Sequence, residues 1–141
     1  MVSEALGWHD RRRVNPLIRI IPAFMVRFFA KPYVAGDSLA KAMSAVSKLR
    51  KDRGLLSTLD LLAEDIKLPE QAERNLQAYL DMVDAAAAFE PADRPTLSLK
   101  PSSYTTSPLH EGGDAAGSRE AILKISQKAA AANVNVSVDM E

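Results

Sequence analysis

Three short apolar runs stand out in the later part of the chain, and each of them ends in charged residues. They are LLSTLDLLAE at Leu55–Glu64, PTLSLK at Pro95–Lys100 and VNVSVDME at Val134–Glu141. Short apolar runs rich in leucine, valine and threonine and bounded by proline or charge are typical of buried strands. We therefore predict strands near residues 55–61, 95–100 and 133–139.

Amphipathic helices are predicted between and before these runs. Apolar residues recur at helical spacing over Leu39–Leu49, and Gly54 marks a helix end. A second helix is predicted to begin at Pro69, because proline suits the first helical turn, and a third covers Ser118–Ala132. We interpret the tyrosine in the buried stripe of the second helix as a core residue rather than a ligand. That stripe is Ala72, Leu76, Tyr79, Val83 and Ala86.

The spacing of the charged residues at the ends of the apolar runs favours a β/α barrel. Asp60, Lys100 and Asp139 follow one another at intervals of 40 and 39 residues, with a predicted helix in each interval. In such barrels the residues at the carboxyl ends of the strands gather on one rim, where the active site lies. The predicted fold class is therefore α/β, with parallel strands.

Composition limits the function classes. The chain has 141 residues, no net charge, 47% hydrophobic and 26% charged residues, values typical of a soluble globular domain. The neutral balance gives no argument for nucleic-acid binding. The absence of cysteine excludes disulfides, thiol catalysis and zinc–thiolate sites.

The chain is too short for a whole barrel, because eight βα units of this spacing need roughly 320 residues. We expect residues 36–141 to be the N-terminal part of a (βα)8 TIM-like barrel, about three of its eight units. An N-terminal helical segment, residues 1–35, is expected to precede it. The chain is accordingly interpreted as a fragment, truncated after the third strand.

The N-terminal segment contains an apolar run, Leu17–Phe29, flanked by basic residues. Arg19, Pro22 and Arg27 within it argue against a membrane-spanning helix. The favoured interpretation is a helical collar at one end of the barrel. Contact with a membrane surface is the main alternative, because interfacial helices combine basic and aromatic residues, and a targeting peptide is a third.

The segment Ser102–Gly117 is rich in Ser, Thr, Pro and Gly and is predicted to be a flexible loop. His110 and Glu111 lie in it, but one histidine and one carboxylate do not predict a metal site. No phosphate-binding glycine pattern accompanies them.

Charged residues at the predicted strand ends form the candidate site. They are Asp60, Glu64, Lys100, Asp139 and Glu141. A lysine between carboxylates can neutralise the mouth of a barrel, and it can also hold an amino-acid or other anionic substrate. The position on the rim favours the second explanation.

The order of several segments resembles the N-terminal half of proline dehydrogenase. They are RFFAKPYVAGDSLAKAM, STLDLLAED, SLKPSS and VSVDME, and the resemblance runs from Arg27 to the last residue. One departure is Leu62-Ala63-Glu64, where the family pattern has a glycine at the second position.

The resemblance implies a distorted (βα)8 barrel that binds FAD and oxidises L-proline to 1-pyrroline-5-carboxylate, the first step of proline catabolism. It implies that Lys100 lies beside the substrate carboxylate and the flavin. Asp139 matches the acidic residue of the DME motif that closes the charge network, and the backbone of Met140 matches a flavin contact. Electrons would pass to a membrane quinone, in a cytoplasmic protein in peripheral contact with the inner face of the membrane.

Other residues of the family site lie on later strands, so this chain alone is expected to be inactive. Two alternatives remain at this point. One is another (βα)8 enzyme with a Schiff-base lysine, although that needs a neutral amine and flanking carboxylates favour the charged form. The other is a non-catalytic module that binds a membrane surface or a partner through Leu17–Phe29.

Overall fold

Helices and strands alternate along the chain in the computed structural model, which describes residues 35–63 and 66–139. The order is α1 (Leu39–Arg53), β1 (Thr58–Asp60), α2 (Pro69–Ala87), β2 (Thr96–Leu99), α3 (Ala115–Ala131) and β3 (Val136–Val138). Two short 3-10 helices, Pro101–Tyr104 and Leu109–Glu111, lie between β2 and α3. These elements belong to the compact unit Gly36–Glu141.

The three strands form one parallel sheet in the order β1-β2-β3. Leu59 is paired with Leu97, and Leu97 with Val136. The predicted parallel pairing of three strands in chain order is therefore confirmed. Parallel strands with helices between them are consistent with part of an α/β barrel.

The outer strands are shorter than predicted. The residues expected to begin them form the C-terminal cap of the preceding helix instead. Gly54 adopts a left-handed conformation (φ 67°) and donates its N–H to the carbonyl of Arg50, and the Leu55 N–H is directed to Leu49. Asn133 (φ 55°) likewise ends α3, and the Val134 N–H bonds to the Ala129 carbonyl. Backbone groups used in these caps are not available for strand pairing.

The core lies between the sheet and the helices. Leu97 and Leu99 of the central strand are completely buried, as are Tyr79, Val83 and Ala86 of the stripe predicted for α2. Val46 of α1 and Ile125 of α3 complete the same apolar cluster. The buried helix faces are thus those indicated by the sequence periodicity, except that Leu49, at the end of the α1 stripe, is 38% exposed.

The region predicted to be a flexible loop, Ser102–Gly117, contains more regular structure than expected. Besides the two 3-10 helices it includes the start of α3, which begins at Ala115 rather than Ser118. The reason is the cap: Asp114 Oδ1 accepts a hydrogen bond from the Gly117 N–H at 2.9 Å. Thr105 Oγ1 in turn accepts the Asp114 N–H at 2.9 Å and holds the cap in place.

Several sequence-based expectations lie outside the described residues. They concern residues 1–34, including the apolar run Leu17–Phe29, and also Glu64, Met140 and Glu141. Within the described ranges, no helix has the length and apolar character needed to cross a membrane.

Candidate functional site

The charged residues at the ends of the strands lie at one edge of the sheet. Asp60 is the last residue of β1 and pairs with Ser98, two positions before Lys100. Leu99 pairs with Val138, so Lys100 and Asp139 are the next residues on two neighbouring strands. The Asp139 N–H donates to the Leu99 carbonyl at 2.9 Å, which extends the pairing to that point. The sheet thus brings Asp60, Lys100 and Asp139 to the same edge.

Lys100 lies near the Asp60 carboxylate. Its Nζ is 3.9 Å from Asp60 Oδ2, beyond hydrogen-bond length, and the two side chains are 27% and 31% exposed. An ion pair with that separation and partial exposure contributes at most about 1 kcal/mol to stability. The lysine is thus placed by the strand end and attracted by Asp60, without a short bond to that carboxylate.

The hydroxyl of Tyr79 connects α2 to the same carboxylate. Tyr79 Oη lies 3.2 Å from Asp60 Oδ1 and 2.9 Å from the Ser98 carbonyl, and it accepts the Leu61 N–H at 3.3 Å. Because a phenol has one proton, it donates to Asp60 or to Ser98 at a given moment.

The electrostatic surroundings keep this phenol protonated. Burial raises the pKa of Tyr79, the Leu61 N–H opposes the shift, and the carboxylates of Asp60 and Asp139 act in the same direction as burial. A phenol that stays neutral remains a hydrogen-bond donor, which is the role that a neighbouring carboxylate requires.

A second tyrosine packs against the first. The Tyr104 ring centroid lies 6.1 Å from that of Tyr79, with the planes tilted by 58°. Tyr104 is buried, and its hydroxyl has no hydrogen-bond partner among the residues that the structure describes. Burial raises the pKa of Tyr104, and Tyr79 and Asp60 add to the shift. Tyr104 thus supports the position of the Tyr79 ring without bonding to the carboxylate.

Side chains from α2 and α3 fix the loops at this edge. Asn75 Nδ2 donates to the carbonyls of Ala63 (3.2 Å) and Ser103 (2.8 Å), so it joins the segments that follow β1 and β2. Ser118 Oγ donates to the Pro101 carbonyl at 2.8 Å. Lys100 therefore lies on backbone that two helices hold in place.

Sequence reasoning placed Tyr79 correctly in the core but missed its polar role. The available signal was its chemistry, because a buried tyrosine in an apolar stripe usually finds a hydrogen-bond partner for its hydroxyl. Asn75 on the same helix was not singled out at all. His110, in contrast, is a surface residue: its side chain is 80% exposed, with Nε2 3.7 Å from Glu111 Oε1.

Comparison with known protein families shows which family the chain matches. The family model described as proline dehydrogenase matches residues 42–141, a range that contains all three strands and both Lys100 and Asp139. The chain belongs to the proline dehydrogenase family. The family predicted from the sequence is confirmed, and membership supports an oxidoreductase function with proline as substrate. A search of curated proteins finds no match.

Proposed function

We propose that the protein catalyses the FAD-dependent oxidation of L-proline to 1-pyrroline-5-carboxylate, with its substrate at the carboxyl edge of the sheet. The observation that carries this proposal is the placement of Lys100, a partly exposed cation directly after the buried central strand. Carboxylates at the ends of both neighbouring strands, Asp60 and Asp139, flank it.

The charges at this edge suit an α-amino acid with a secondary amine. The Lys100 ammonium is partly exposed, and it can donate a charge-assisted hydrogen bond to the substrate carboxylate. Asp139 is exposed, and its carboxylate attracts the positively charged amine. The two contacts would align the ring carbon beside the amine for loss of a hydride.

FAD, when bound, supplies the acceptor for that hydride. The donor chemistry at the edge fits such a group, because a nearby cation stabilises the negative charge that a flavin gains on reduction. Lys100 is the described residue that would face it. The backbone of Met140, which follows Asp139, is the second proposed contact and is inferred from the family resemblance alone.

We further propose that residues 36–141 contribute the first strands of a larger (βα)8 barrel, after an N-terminal helical segment at residues 1–35. Support comes from the strand order and from apolar side chains that stay exposed, such as Leu62 (77%) and Val138 (48%). A crystal structure of the flavin-bound protein in which β1 and β3 pair with no further strand would contradict this.

A quinone acceptor and peripheral membrane contact are also proposed, from the family resemblance and from the basic, aromatic run Leu17–Phe29. We expect liposome co-sedimentation to weaken when Phe24, Phe28 and Phe29 are all changed to Ser, because aromatic side chains supply the buried apolar area. Equal sedimentation of the two proteins would refute the membrane contact.

Lys100→Met tests the proposed function. It keeps an apolar side chain of similar length and removes the charge, so kcat/KM for L-proline should fall by about tenfold or more, equivalent to about 1.4 kcal/mol. Steady-state kinetics and flavin content are measured on the same sample of flavin-loaded protein. Loss of the Lys100–Asp60 contact itself should cost at most about 1 kcal/mol of stability, because that contact is long and partly exposed.

Lys124→Met is the matched control, since Lys124 lies on the exposed face of α3 and pairs only with Glu120 among the ion pairs described. It should keep normal kinetics. A Lys100→Met protein with a full complement of flavin and undiminished kcat/KM would remove Lys100 from the site. Loss of stability without loss of activity would assign the lysine to charge balance alone.

A further inference from the structure

We propose that Tyr79 is a positioning residue for the substrate site: its hydroxyl holds the Asp60 carboxylate, which in turn sets the place of the Lys100 ammonium. The inference rests on the proposed function, because it assigns Lys100 the role of carboxylate binding. It adds a residue from the helix layer to a site otherwise built from strand ends.

The geometry places the two polar groups on opposite oxygens of one carboxylate. Tyr79 Oη lies 3.2 Å from Asp60 Oδ1, whereas Lys100 Nζ lies 3.9 Å from Oδ2. A hydrogen bond to one oxygen restricts the rotation of a carboxylate and so limits the positions of the other oxygen. The Lys100 ammonium is thus attracted to an oxygen whose position Tyr79 helps to set.

Tyr79 is well suited to act as a fixed support. Its side chain is completely buried, and its hydroxyl accepts the Leu61 N–H and shares one proton between Asp60 and the Ser98 carbonyl. The end of β1, the segment after it and β2 therefore all limit its position. The Tyr104 ring packs beside it. A hydroxyl with so little freedom can hold a partner at low entropic cost.

The expected kinetic effect is a change in substrate binding. If Lys100 contacts the substrate carboxylate equally in the ground and transition states, a misplaced ammonium weakens both, which raises KM and leaves kcat unchanged. We expect Tyr79→Phe, in flavin-loaded protein, to raise KM for L-proline by about tenfold with kcat within about twofold of wild type.

Tyr104→Phe provides a matched control. It makes the same substitution in the adjacent ring, but the hydroxyl that it removes has no hydrogen-bond partner among the described residues. KM should stay at the wild-type value. An unchanged KM in Tyr79→Phe would overturn the proposal, and so would an equal rise in both variants, because that would indicate general loosening of the core.

A double variant tests whether Tyr79 acts through Asp60. Asp60→Asn alone should raise KM, and Tyr79→Phe should add no further rise in the Asp60→Asn protein, because the negative charge through which Tyr79 acts on Lys100 is then absent. If the KM of the double variant instead rises by the product of the two single increases, the residues act independently and the proposal is contradicted.

Two readouts do not depend on turnover. Calorimetry with cyclopentanecarboxylate, a ring carboxylate without the oxidisable amine, should show binding weakened by about tenfold in Tyr79→Phe and unchanged in Tyr104→Phe. In a crystal structure of Tyr79→Phe, the Asp60 carboxylate should rotate and its distance to Lys100 Nζ should change. An unmoved Asp60 would refute the positioning role.

These readouts separate the inference from the function on which it rests. If Lys100→Met binds cyclopentanecarboxylate as wild type does, the proposed function fails, whereas the Asp60 position in the Tyr79→Phe crystal structure still decides whether Tyr79 holds that carboxylate. If Lys100→Met loses binding and Tyr79→Phe does not, the function stands and the positioning role is wrong.

Discussion

Burial of the central strand is the constraint on which the rest of the structure depends. Leu97 and Leu99 are completely inaccessible, and β2 has a parallel partner on each side. An unpaired ammonium in such surroundings would be costly, so charge can appear only where the strand ends. Because all three strands run in the same direction, the residues after them reach one edge together. The position of the candidate site thus follows from the burial of its scaffold.

The same core also contains the Tyr79 hydroxyl, a polar group of α2 that contacts Asp60 at the edge of the sheet. Tyr79 contributes its ring to the apolar cluster and its hydroxyl to Asp60, so one side chain serves packing and electrostatics. Its neighbour Tyr104 contributes packing alone, since its buried hydroxyl has no described partner. An unsatisfied buried hydroxyl costs free energy.

Much of this arrangement could be predicted from the sequence, because periodicity and strand-end charge are local signals. The parallel order, the buried faces of the helices and the shared edge of Asp60, Lys100 and Asp139 all follow from them. The strand limits could not be predicted, since Gly54 and Asn133 draw neighbouring residues into helix caps. The Tyr79–Asp60 contact also escaped prediction, because it joins a helix to a strand end 19 residues away.

The most direct test of this account is a crystal structure of the flavin-loaded protein with cyclopentanecarboxylate bound. The account predicts that the ligand carboxylate lies within about 3.2 Å of Lys100 Nζ, at the edge that carries Asp60 and Asp139. A ligand carboxylate bound elsewhere, with no contact to Lys100, would contradict it.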